Sequence, residues 1–163
     1  MIVVSDTSPI NYLVLIGRAD LLARVYGRVI IPPAVHGELQ RESTPLVVRQ
    51  WIARPPAWLS ISPAPANLDP GLSRLGKGEQ EAISLAQELR ADAILIDERD
   101  GRRAAEQRHL VVVGTLQVLD TAAEEGLLDL PSTLSELRNT TFRASPALFE
   151  LFLQRDIERK RRR

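Results

Sequence analysis

The chain has 163 residues, 44% apolar and 26% charged, with 21 basic and 21 acidic side chains, no cysteine and only 4% aromatics. That length suits one domain with a continuous core, the balanced charge leaves nucleic-acid contact to local patches, and the lack of cysteine excludes disulfides, thiolate metal sites and cysteine nucleophiles. No apolar run approaches the roughly 18 residues of a membrane span, and Asp6 interrupts the first run before a signal-peptide core forms, so the expectation is a soluble, cytoplasmic protein with no membrane partner.

Ile2-Val3-Val4 is β-branched without polar alternation, which suits a strand covered on both faces of a parallel sheet. It ends on Ser5-Asp6, and Ser8 and Pro9 then offer an N-cap and a first-turn proline. Ile10 to Ile16 and Leu21 to Tyr26 read as helical pieces broken at Gly17. Val29-Ile30-Ile31 is a second buried strand, and Pro32-Pro33 opens a helix through Val35, Glu38 and Leu39. Thr44-Pro45 suggests the cap and first turn of a helix that runs to Ile52. From Ala57 to Gly76 the composition turns to Pro, Ser, Ala and Gly around a short strand, Trp58 to Ile61, as expected of a surface excursion.

Lys77 to Arg90 carries the clearest helical periodicity, with Ala82, Ile83, Leu85, Ala86 and Leu89 on one stripe. Ala93 to Ile96 is a third buried strand ending on Asp97-Glu98. Arg99 to Arg108 is a short helix, Leu110 to Val113 a fourth strand, and Leu116 to Glu125 a helix stopped by Gly126. Pro131 to Leu137 and Pro146 to Ile157 add two helices before a basic end, Arg159 to Arg163, expected to be disordered and solvated, with nucleic-acid contact as the alternative. Strand and helix alternate throughout, which indicates an α/β fold on a parallel sheet.

Two of these strands end in acids, and in open α/β sheets ligands bind outside the carboxyl ends of strands. Asp6 and Asp97 share that edge. Glu79 lies on the same helical face as Ala82, Ile83 and Ala86, where a carboxylate needs a reason beyond its favourable effect on the helix dipole; Glu81 falls on the opposite, polar face. Glu38 flanks the face that Val35 and Leu39 bury, and otherwise reads as a solvated helix acid. Brought together, Asp6, Glu38, Glu79 and Asp97 would repel one another strongly without a cation. All-oxygen donors select hard ions, Mg²⁺ or Mn²⁺, and such a site suits hydrolysis of a phosphate ester.

The ordered segments Val4-Ser5-Asp6-Thr7-Ser8-Pro9, Pro32-Pro33-Ala34-Val35-His36-Gly37-Glu38-Leu39, Gly78-Glu79-Gln80-Glu81-Ala82-Ile83 and Ile94-Leu95-Ile96-Asp97-Glu98 resemble the PIN-domain ribonucleases, which include the VapC-type toxins of toxin–antitoxin pairs. The resemblance spans Ile2 to Leu128. It implies a three-layer α/β/α sandwich around a short parallel sheet, with residues 1–128 as the nuclease domain and 129–163 as a helical extension with a basic tail. It also implies Mg²⁺- or Mn²⁺-dependent cleavage of RNA by Asp6, Glu38, Glu79 and Asp97, which would serve as metal ligands, with Ser8 near the first acid. In two places the chain departs from the pattern. Glu79 stands where many relatives have aspartate, and Asp97-Glu98 stands where close relatives read Asp-Asp, which leaves Asp97, Glu98 and Asp100 open as the residue completing the site.

Arg99, Arg102, Arg103 and Arg108 follow the Asp97 tip and are candidates for phosphate contacts along an RNA path. Trp51 and Trp58 read as core residues, and His36 and His109 are isolated. Leu148, Phe149, Leu151, Phe152 and Leu153 surround their helix with apolar surface, as for burial against a partner or a second copy in a homodimer. The preferred reading is a metal-dependent endoribonuclease restrained by an antitoxin protein. The alternatives are a non-catalytic PIN-like module that binds RNA or protein, and a receiver-like phosphoacceptor, which is weakened because no lysine follows the fourth strand.

Overall fold

The computed structural model describes residues 1–163. Five short strands, β1 (Val3–Ser5), β2 (Val29–Ile31), β3 (Leu59–Ile61), β4 (Ala93–Leu95) and β5 (Val112–Val113), form one all-parallel sheet in the order β3-β2-β1-β4-β5. Around it lie nine α-helices: α1 (Thr7–Leu15), α2 (Leu21–Tyr26), α3 (Pro33–Glu38), α4 (Leu46–Ala53), α5 (Lys77–Glu88), α6 (Arg99–Gln107), α7 (Thr115–Glu124), α8 (Leu130–Arg138) and α9 (Pro146–Arg161). The molecule is a three-layer α/β/α sandwich of the expected class.

The central strands explain the sequence pattern. β1 pairs with both β2 and β4 at Val4, opposite Ile30 and Ile94, and every residue of β1 and β4 is buried. Helices on both faces leave no solvent side, so the apolar runs do not alternate. The edges differ, with Ile61 of β3 46% exposed and β5 half-buried.

Sheet order also fixes the site. The chain steps from β1 outward through β2 to β3, and α5 then carries it back across β1 to β4 on the other side, packing on both strands. The direction of winding reverses between β1 and β4, and a crevice opens there beyond the strand ends. Both tips end in acids, Asp6 and Asp97.

Several local details differ from the sequence reading. Helix α1 starts at Thr7, with Asp6 rather than Ser8 at its N-cap; Pro9 is tolerated because its missing N–H falls in the first turn, where no intrahelical acceptor exists. Thr44 does not cap α4, since its hydroxyl donates to the Glu38 carbonyl at 2.6 Å and Pro45 takes the N-cap position. Glu81 is not a free surface acid: it accepts the Ala34 N–H at 3.0 Å at the start of α3. Trp51 and Trp58 stack obliquely with ring centroids 5.9 Å apart and pack on the core.

The C-terminal helices share that core. Leu130, Leu134 and Leu137 of α8 and Phe149 and Phe152 of α9 join the same buried cluster as the sheet, each such side chain contributing roughly 1.5–3 kcal/mol. The α9 surface expected to meet another chain is thus divided, because its phenylalanines are buried within this one while Leu148, Leu151 and Ile157 remain exposed. The basic end is not a disordered tail as expected. Helix α9 continues to Arg161, and Arg159 reaches Asp120 at 3.1 Å and Asp156 at 2.8 Å. Buried carboxylates on α7 and α9 hold it in place.

Candidate active site

Asp6 sits where β1 passes into α1. Its N–H donates to the Leu95 carbonyl at 2.8 Å, which ties the two central strand tips together. Its carboxyl makes no capping hydrogen bond and is only 4% exposed. Burial pushes this carboxyl up to about 7; the Thr7 N–H offsets part of the rise, and Glu79, Glu38 and Asp97 add to it in that order. A buried acid whose carboxyl makes no capping bond and which three other acids raise further is not serving as a turn residue.

Glu38 is drawn in from the end of α3. Thr7 Oγ1 donates to its carboxylate, and the Gly78 N–H approaches the other oxygen at 3.3 Å. A Cβ at position 78 would lie 2.6 Å from Glu38 Oε2, so only glycine leaves room for this approach. The residue read as a solvated helix acid is half-buried and held from two elements.

Glu79 occupies the third position of α5, with one oxygen toward the Gly76 N–H as in half of a capping box. Its Oε2 is buried with no hydrogen-bond partner. Burial raises its carboxyl, the Gly76 N–H opposes the rise, and Glu98, Glu38 and Asp100 reinforce it.

Asp97 turns away from these three. It accepts the Thr115 N–H at 2.8 Å and the Thr115 hydroxyl at 2.7 Å, both at the start of α7. Burial still raises its carboxyl, against the Thr115 bonds and nearby Arg102. The cleft of about 490 Å³ at the switch point is lined by Asp6, Glu38, Glu79 and Glu98, with Thr7, Ser8, Asn11, Thr44 and Arg41 among the rest. Glu98 lines this cleft and Asp97 does not, although Asp97 is the one of the two that raises Asp6. Asp100 lies in the first turn of α6 and is felt by Glu79 without lining the cleft. Ser8 lines it without a hydrogen bond to Asp6.

A second cleft of about 670 Å³ contains Asp97, Arg99, Arg102, Arg103 and Arg143 over an apolar floor that includes Phe142 and Phe152. Chain neighbours are divided between the two clefts, Glu98 and Thr141 lining the first and Asp97 and Phe142 the second. Sequence reasoning missed Thr7 and Thr115, the hydroxyls that position two acids. Their adjacency to strand tips was the only signal.

No salt bridge reaches Asp6, Glu38, Glu79, Asp97 or Glu98. With the side chains as placed, no three of them converge on one point at metal-binding distance. The donor set nonetheless fits a hard divalent cation in kind. Every donor is a carboxylate oxygen, Glu79 Oε2 lacks a partner, and Asp6 is raised by burial first and by its acidic neighbours second.

An all-parallel five-stranded sheet with acids gathered beside its switch point defines an α/β protein with its site at the carboxyl ends of the strands. Residues 2–158 match the PIN domain, and the chain belongs to that family. Among solved structures it resembles a PilT N-terminus domain protein from the hyperthermophilic archaeon Sulfolobus solfataricus, with 15% identity and a TM-score of 0.53 over 89% of this chain and 100% of that one. That likeness is one of fold. No curated protein matches the sequence. PIN domains are usually nucleases and generally use divalent metal ions. No helix is long and apolar enough to cross a membrane.

Proposed function

We propose that this chain is an endoribonuclease that hydrolyses RNA phosphodiester bonds with Mg²⁺ or Mn²⁺. The observation that carries this reading is the acid cleft itself, where Asp6, Glu38, Glu79 and Glu98 line one crevice and no salt bridge of the protein reaches any of them. Asp6, Glu38 and Glu79 would hold the ion together with a fourth carboxylate from the Asp97-Glu98 pair, for which the cleft lining favours Glu98. When bound, the ion supplies Lewis acidity and positive charge at the scissile phosphate.

The chain's own groups do the rest. Thr7 and Gly78 fix the Glu38 carboxylate, and the buried Asp6 carboxyl, raised by burial and its acidic neighbours, would release its proton to solvent water where a cation is held beside it. Thr115 clamps Asp97 and thereby the β4 tip from which Glu98 projects. Arg99, Arg102 and Arg103 in the second cleft would hold flanking phosphates, a contact that gives affinity without sequence preference. In the cell such an enzyme would need restraint, and we assign it the part of a cytoplasmic toxin covered by an antitoxin protein; the exposed Leu148 and Leu151 beside the arginine cleft offer apolar contacts for such a partner. Homodimerisation through the same helix is the other use of that surface.

A second reading is a binding module without catalysis, favoured by the lack of three converging acids in the side-chain arrangement. Cleavage of a labelled mixed-RNA pool with Mn²⁺, Mg²⁺ or EDTA, beside Asp6→Asn and Glu79→Gln, separates the two. The nuclease reading expects metal-dependent cleavage that falls at least ~100-fold in both variants, a loss typical of removing a charged group at a reacting centre. Unchanged cleavage in Asp6→Asn, or no cleavage by folded protein with any metal, contradicts it.

A further inference from the structure

Helix α6 contains a glycine at its third position, although glycine is the poorest helix former after proline. Gly101 is buried, and its conformation does not demand glycine, since its φ lies outside the positive region. The reason is contact. A Cβ at position 101 would collide with Glu79 Oε2 and would also lie 2.6 Å from Ile96 Cδ1. The same Glu79 Oε2 is the buried oxygen that has no hydrogen-bond partner.

We propose that Gly101 is a positioning residue for Glu79: its bare backbone forms a seat into which the Glu79 carboxylate fits, and this seat holds the acid at its place in the cleft. Three elements meet at the seat. α5 supplies Glu79, β4's exit supplies Ile96, and the first turn of α6 supplies Gly101. The positive end of the α6 dipole also favours a carboxylate there. Ile96 is fully buried and closes one side of the seat, so a methyl group at 101 would expel the more mobile Glu79 carboxylate rather than the core side chain. A shorter aspartate at 79 would not reach the seat, and glycine at 101 would then be required only by the contact with Ile96.

The consequence for ion binding rests on the divalent-ion reading of the cleft; the seat itself does not. The test uses the full chain in four forms: wild type, Gly101→Ala, Glu79→Asp and the double variant. Mn²⁺ affinity is measured by electron paramagnetic resonance of the free ion, and Tm is measured without metal. With Glu79 present, Gly101→Ala should weaken Mn²⁺ binding about 10-fold or more. In the Glu79→Asp background the same substitution should change it less than about 2-fold, because the two residues act as one unit. Metal-free Tm should follow the same pattern, with Gly101→Ala lowering it clearly more beside Glu79 than beside Asp at 79, where only the contact with Ile96 remains. Equal losses in both backgrounds, or none beside Glu79, overturn the proposal and make Gly101 an ordinary packing position. If wild type binds no Mn²⁺, the divalent-ion reading fails on its own, and the Tm cycle still decides the seat.

Discussion

Two groups of buried acids in this molecule have opposite solutions to the same electrostatic problem. On the α7–α9 side, Asp120 is fully buried and Asp156 nearly so, yet cations of the protein meet both. Arg159 lies 3.1 Å from Asp120 and 2.8 Å from Asp156, Arg155 is 3.2 Å from Asp120, and Lys160 is 2.9 Å from Asp156. Against the desolvation that would raise it, the Lys160 and Arg159 hydrogen bonds hold the Asp156 carboxyl below its ordinary value. At the switch point, Asp6 is equally buried and is pushed up to about 7 with no salt bridge to relieve it. Arginines bridge the acids that hold a helix, whereas Arg41, which lines the crevice, makes no salt bridge to the acids there. The first arrangement supports the fold, whereas the second opposes it and has value only if something from outside supplies the charge.

The largest effect that would break this comparison concerns the paired group. Asp120→Asn removes a buried carboxylate from Arg159 and Arg155, and breaking such a pair leaves charge without compensation. A loss of about 2–3 kcal/mol is expected by denaturant unfolding, on the low side for a buried pair because Arg159 keeps Asp156. Asp6→Asn should do the reverse at pH 8 and stabilise the metal-free protein. If both substitutions destabilise alike, the two groups are not opposites. A smaller effect sharpens the role of Asp97. Thr115→Val deletes one hydroxyl bond to it and should cost about 1 kcal/mol, some 2–4 °C in Tm for a chain of this size, while cleavage falls less than in Glu98→Gln. Greater loss of cleavage in Thr115→Val than in Glu98→Gln would return Asp97 to the centre of the chemistry.

The fold was legible in the sequence because its signals are local. Unalternating runs at Val3, Ile30 and Ile94 predict strands covered on both faces, and the alternation with helices predicts a parallel sheet. The site was legible in outline, as acids at strand tips and on a buried helical face. Geometry separates two neighbours that the sequence could not. Asp97 and Glu98 are adjacent, and at the end of a strand successive side chains point to opposite sides, so the residue that turned to Thr115 left the other for the cleft. Nothing in the local pattern at Thr115, or at Gly101, points to acids 18 and 22 positions earlier in the chain. The basic end was misread because Asp120 and Asp156, which order it, are distant or a turn away and carry no mark of burial in the sequence.

The central claim is that no salt bridge of the protein offsets the cleft acids and that a divalent ion from solution does so, and thermal unfolding across pH with and without Mn²⁺ tests it most directly. Because the Asp6 carboxyl is raised from 3.8 to about 7 in the folded protein, the native state binds the proton more tightly than the unfolded chain does. Its share of stability is therefore full below 3.8 and is lost as pH rises toward about 7, at most roughly 1.4 kcal/mol for each pH unit crossed. Glu79 and Asp97, also raised, act in the same direction. Wild type should accordingly lose Tm relative to Asp6→Asn between pH 5 and pH 7, and millimolar Mn²⁺ should restore the loss at pH 7.5 in wild type but not in Asp6→Asn. A wild-type Tm that responds to Mn²⁺ no differently from that of Asp6→Asn would contradict the account.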